Sequence, residues 1–147
     1  MKNAPFVIMI LIFSSNCSYK IEENFIFEEY TITMLHDGYQ QGKFSVTDVV
    51  KYYLKAIESV DENGPNLNSI ISVNPNALDI AKVLDSTLSK GEPLTSLFGI
   101  PVILKDNINT YDDMPTTAGS RILAKSYPSK NSWVAKKLVE ANGVIIG

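Results

Sequence analysis

The sequence predicts an α/β fold in which a mixed β-sheet is covered by helices. Three observations carry that prediction. Residues 100–104 (IPVIL) and 144–146 (VII) are compact apolar runs with the length and composition of buried strands. Between them, residues 132–142 have helical spacing, with Val134, Leu138 and Ala141 facing inward and Gly143 as the stop. Strand, long loop, helix and strand in that order form a βαβ unit, whose two strands run parallel.

The elements before that unit follow from caps and breakers. Residues 31–41 read as a short helix ended by Gly42. Ser45, with Asp48 three places on, has the form of a capping box. Val46, Val49, Val50, Tyr53, Leu54 and Ile57 then recur at helical spacing, up to the breaker Asn63-Gly64-Pro65. Residues 68–74 (NSIISVN) are a short β-prone run. Pro75 suits the first turn of a further helix, marked by Leu78, Ala81, Leu84, Asp85 and Leu88. Pro101 sits at a strand entrance, since it cannot donate to a ladder. Residues 107–129 form a long irregular connection, and connections of that length are usually functional.

The first residues read as an address. Met1, Lys2 and Asn3 make a short positive start, and residues 4–13 (APFVIMILIF) are uncharged and mostly apolar. A bilayer crossing needs ~20 apolar residues, so ten suit a secretory signal better than a span. The expectation is a signal peptide over 1–16, a linker over 17–30, a folded part over 31–147, and export to the periplasm or cell envelope, or secretion. Cys17, directly after the run, is a lipidation candidate, because its position resembles a bacterial lipoprotein signal. Asn16 departs from the small residue usual there. A plain secretory signal and a short uncleaved anchor are the alternatives, and either lipid or anchor is the one membrane association expected.

Composition excludes several functions. The 147 residues carry a net charge of −3, with 45% hydrophobic and 20% charged residues, a globular balance without the basic stripe of a nucleic-acid binder. One Cys and one His, His36, leave no intrachain disulfide and no Cys/His zinc cluster. His36 itself reads as a surface or packing residue. No phosphate-cradling glycine motif occurs. Asp112-Asp113 reads as a solvated pair and Trp133 as a packing residue.

Lys105 stands out. It follows four apolar residues at the carboxyl end of a strand, where ligands sit in open α/β sheets. A lysine in an apolar niche has its charged form disfavoured and can serve as a base. Asp106 next to it opposes that shift, and a snorkelling surface lysine is the plainer reading of the residue alone.

The surrounding string carries more. FGIPVILKDNINT (98–110), MPTTAGS (114–120) and NGVIIG (142–147), with LNSI (67–70), Asn74-Pro75 and Ala77-Leu78 upstream in register, resemble the amidase signature family from about residue 33 to 147. The resemblance implies the N-terminal portion of that family's fold, incomplete, with 31–147 as a partial amidase domain. It implies hydrolysis of carboxamide C–N bonds, or acyl transfer from them, by a Ser–cis-Ser–Lys triad without metal or organic cofactor. Lys105 takes the place of the family's general base, acting through the bridging serine. Such a base is what an unactivated serine hydroxyl needs. Asp106 and Asn107 are candidates to hold the strand end behind Lys105, and Thr116 and Thr117 to line the loop beside the site. Both triad serines lie in a Gly-Ser-rich segment that residues 1–147 do not contain. Ser120 falls in a different element, where a turn role is expected. The implied substrate is a small-molecule or peptide amide bound by the longer protein, and this chain alone is expected to be inactive. The competing reading is a non-catalytic exported or membrane-anchored binding or scaffold protein that keeps the partial fold.

Overall fold

The computed structural model describes residues 27–147. The signal expected over 1–16 and the lipidation candidate Cys17 lie outside the described residues. The described part of the 17–30 segment is not a linker. Phe27 is 1% exposed, its ring set edge-on against Phe44 (4.9 Å), Tyr30 (5.2 Å) and Tyr52 (5.3 Å). Aromatic rings prefer these edge contacts, and burying one removes a large apolar area from water. The packed unit therefore includes Phe27.

Helix α1 spans Ile32–Gln40, with Thr31 Oγ1 accepting from the Met34 N–H (3.2 Å). Helix α2 spans Val46–Ala56. Its capping box forms as the sequence predicts: Ser45 Oγ accepts from the Asp48 N–H (3.0 Å), and the Asp48 carboxylate accepts from the Ser45 N–H (2.9 Å). Asp85, from α3 (Ala77–Ser89), adds a cap across the structure. Its carboxylate accepts from the N–H groups of Val46 (2.7 Å) and Thr47 (3.1 Å) and from the Thr47 hydroxyl (2.5 Å). That places negative charge at the positive end of the α2 dipole and locks α2 onto α3. Val46, Val49, Val50, Ala77 and Ala81 are fully buried in the core these helices share. Beyond Ala56, α2 continues as a π-helical turn, Ile57–Glu62, before the breaker at 63–65.

Strands β1 (Pro101–Val102) and β2 (Val144–Ile145) pair in parallel, Pro101 with Val144 and Val102 with Ile145. The hydrogen bonds reach further than the strands. Gly99 N–H donates to Asn142 O, Val144 N–H to Ile100 O, Ile146 N–H to Val102 O and Leu104 N–H to Gly147 O, each at 2.9 Å. The βαβ unit closes through α4 (Trp133–Glu140), which Ser132 caps. The α/β class holds. The mixed sheet is a single parallel pair among the described residues.

Two expectations change. Residues 68–74 form no strand. Asn66 and Asn68 take left-handed φ values of 58° and 51°, and within the run Asn74 makes the hydrogen bonds to the free side of β2. There Asn74 N–H donates to Ile146 O (3.0 Å) and its Nδ2 to Ile145 O (2.7 Å). Trp133 is 73% exposed and Val134 46%, so neither packs inward; Ala135 is the buried residue of α4. His36 does pack, its Nε2 donating to Phe98 O (3.1 Å). Next to it, Gly99 has φ +69°, and a Cβ there would stand 2.7 Å from Val46 Cγ2, so only glycine lets the chain enter β1 this close to α2.

Candidate active site

A cleft of about 370 Å³ opens at the carboxyl ends of β1 and β2. One wall is the segment 69–72, the floor is the end of β1 running into 105–108, and the opposite wall is the loop 114–119. In open α/β sheets ligands bind at the carboxyl ends of the parallel strands, and here the crossover that leaves β1 forms the floor and one wall of the cleft.

Lys105 lies on that floor. The Leu104 bond to Gly147 O ends the pairing, and Ile108 N–H donating to Lys105 O (2.9 Å) turns the chain, so Lys105 is set at the cleft just past the sheet. Its side chain is exposed and has no hydrogen bond or ion pair among the described residues. The apolar niche expected around it is therefore open. Leu104 and Ile108 pack against Met114, Ala135 and Ile145, while Lys105 itself is exposed.

Asp106, which also lines the cleft, commits its carboxylate to the loop. Its carboxylate accepts from the Thr117 N–H (3.1 Å), the Thr117 hydroxyl and the Gly119 N–H (3.2 Å), while its main-chain carbonyl accepts from the Ala118 N–H (2.8 Å). Burial pushes this carboxyl up, but the bonds from Thr117 and Gly119 outweigh it and hold the group below the usual carboxylate range. Asp106 thus ties the loop to the residue beside Lys105. Thr117, expected to line the loop, is 7% exposed, faces Asp106 and takes no part in the cleft surface. Thr116 does line the cleft, and its N–H donates to Ser126 O (2.8 Å). Asn107 lines the floor and is exposed. Ser120 serves the turn: its N–H donates to Thr117 O (2.9 Å) and its carbonyl accepts from the Leu123 N–H (3.0 Å), starting the short 3-10 turn Arg121–Leu123.

Two features escaped sequence reasoning. One is the 69–72 wall, read as a β-prone run. The other is Asp61, which is 6% exposed and bonded to that wall. A signal for Asp61 was present, because a carboxylate at a helix carboxyl end opposes the helix dipole and needs other donors. Asp112-Asp113 lies away from the cleft, with Asp113 accepting from Asn76 Nδ2 (2.9 Å). No group of three or more His, Cys, Asp or Glu among the described residues is arranged to hold a metal ion.

The cleft at the strand ends, with its lysine and its clamped loop, belongs to a recognisable class: the sequence model of the Amidase family matches residues 48–147, and the chain is a member of that family. A glutamyl-tRNA(Gln) amidotransferase chain of Alkaliphilus metalliredigens is 40% identical over 121 residues, covering 82% of this chain and 24% of the relative. The native peptide amidase of Stenotrophomonas maltophilia superposes with a TM-score of 0.78 at 33% identity, over 82% of this chain and 24% of that one. An amidase family protein from Bacillus anthracis gives 0.77 at 34% identity, with the same coverage. The chain therefore spans about a quarter of the length of the relatives it matches.

Proposed function

We propose that these 147 residues are the lysine-bearing N-terminal segment of an exported amidase that cleaves carboxamide C–N bonds by a Ser–cis-Ser–Lys mechanism. The observation that carries the reading is the position of Lys105, on the floor of a cleft at the carboxyl ends of a parallel strand pair, within the sequence that matches the family. Lys105 is the general base. In the longer protein, polypeptide beyond these residues supplies the two serines and the backbone donors for the oxyanion, and covers the open side of the niche. A dry cover disfavours the charged amine and readies it to take a proton through the bridging hydroxyl. The substrate is a small or peptide amide. Free hydrolysis and acyl transfer use the same acyl-enzyme and differ in which nucleophile resolves it. Export rests on the apolar run at 4–13, with Cys17 as a lipidation candidate beside a plain secretory signal.

The test is Lys105→Ala in the full-length protein. Turnover of a simple carboxamide is expected to fall by at least about a thousandfold, as for loss of a member of a catalytic unit. The thermal midpoint is expected to stay nearly unchanged, since an amine whose charged form is disfavoured in its niche contributes little to folding. Near-normal kcat removes Lys105 from the mechanism.

A further inference from the structure

The two walls of the cleft are fastened by the same device. On the loop side, Asp106 takes a threonine N–H and hydroxyl and one further N–H, and its own carbonyl takes a neighbouring N–H. On the other side Asp61, in the π-helical turn, does likewise. Its Oδ1 accepts from the Ser69 N–H (2.8 Å) and the Ser69 hydroxyl, its Oδ2 from the Ile70 N–H (3.1 Å), and its main-chain carbonyl from the Asn68 N–H (3.1 Å).

We propose that Asp61 is a positioning residue for the 69–72 wall of the cleft, and that it sets substrate affinity there rather than the chemical step. This rests on the amidase reading of the cleft. Several observations converge on it. Ser69, Ile70, Ile71 and Ser72 all line the cleft, yet they belong to no helix or strand. Left-handed residues at Asn66 and Asn68 precede them, so repetitive hydrogen bonding does not hold the wall. What holds it is Asp61 at one end and the end of β2 at the other, where Gly147 is so close that a Cβ would meet Ser72 O at 3.0 Å and Ile70 Cγ2 at 3.1 Å. Donation from the Ser69 hydroxyl first, and from the two N–H groups, keeps the Asp61 carboxyl below its ordinary range, so it stays an acceptor near neutral pH. The α-helical ladder slips to π geometry at Ile57–Glu62, the segment that contains Asp61, and such turns are frequent at functional sites. The wall carries no carboxylate, imidazole or amine, so its part is to hold a substrate and not to serve as the base.

The experiment compares full-length wild type with Asp61→Asn, Ser69→Ala and Ser69→Thr, measuring kcat and KM on a simple carboxamide and amide hydrogen exchange over 69–72. Asp61→Asn keeps the shape but sets an NH2 against the Ile70 N–H. KM is expected to rise about tenfold, with kcat held within about twofold, because an unpaired buried donor loosens a binding wall and not the base. Ser69→Ala is expected to do the same and Ser69→Thr to restore KM, with faster exchange in Asp61→Asn confined to 69–72. A fall in kcat or in thermal midpoint at unchanged KM overturns the proposal, as does unchanged exchange over 69–72. A wild-type protein inactive on all carboxamides overturns the amidase reading, and the affinity claim with it; the exchange data then decide by themselves whether Asp61 holds the wall.

Discussion

Lys105 and Asp106 are adjacent in sequence and opposite in duty. One presents a bare amine to the cleft; the other commits its carboxylate to Thr117 and Gly119. Bonds that favour the ionised Asp106 lower its pKa in the folded state, so its stabilising effect is complete above the unfolded value near 3.8 and is lost as pH falls through the lower folded value. Asp106→Asn is expected to lower the thermal midpoint at pH 7, and the gap to wild type is expected to close as pH drops below about 3.8. A gap constant across that range, followed by calorimetry, counts against the clamp. Adjacency to Lys105 is enough to make Asp106 a candidate. Its partner Thr117 is legible as a nearby residue, but its direction is not, because the left-handed turn at Ala118 and Gly119 swings the loop back onto Asp106.

At the scale of elements, the sequence is most readable where local chemistry decides. The Ser45–Asp48 box and the α2 stripe form where their spacing puts them. Strand pairing between the IPVIL run and the VII run also forms, because both are apolar enough to be buried. The 68–74 run fails, since β-propensity needs a partner edge and two left-handed asparagines remove the register. Asp85 is visible in the sequence only as one more helical residue, yet it caps a different helix. Asp85→Ala leaves the Val46 and Thr47 donors unpaired. It is expected to cost about 1–2 kcal/mol and to lower the thermal midpoint of the full-length protein, measurable by circular dichroism. No change indicates that water replaces the cap.

The whole molecule shows apolar surface that its own described residues do not cover. Ile122 is 94% exposed, Tyr111 67%, Tyr127 61% and Trp133 73%, all in the 107–134 region beside the cleft. Large apolar side chains this exposed mark surface for another polypeptide where they adjoin. The relatives are about four times as long, and in the full-length amidase proposed above further polypeptide covers these side chains. The isolated 147-residue chain is accordingly expected to bind hydrophobic dyes, to associate at micromolar concentration and to release no ammonia from a carboxamide. A soluble monomer with a sharp thermal transition, or measurable hydrolysis, overturns this.

The sequence by itself determined the α/β class, the Ser45 capping box, the parallel strand pair and the family, because each depends on neighbours a few residues apart or on a motif read in order. Only the tertiary structure decided which way side chains face. Lys105 is open to the cleft, Thr117 turned from it, Phe27 buried in the core, and Asp61 and Asp85 bonded to segments outside their own helices. The physical reason is that a carboxylate or a ring takes its role from the donors and surfaces that folding brings to it, and one-dimensional spacing does not record them.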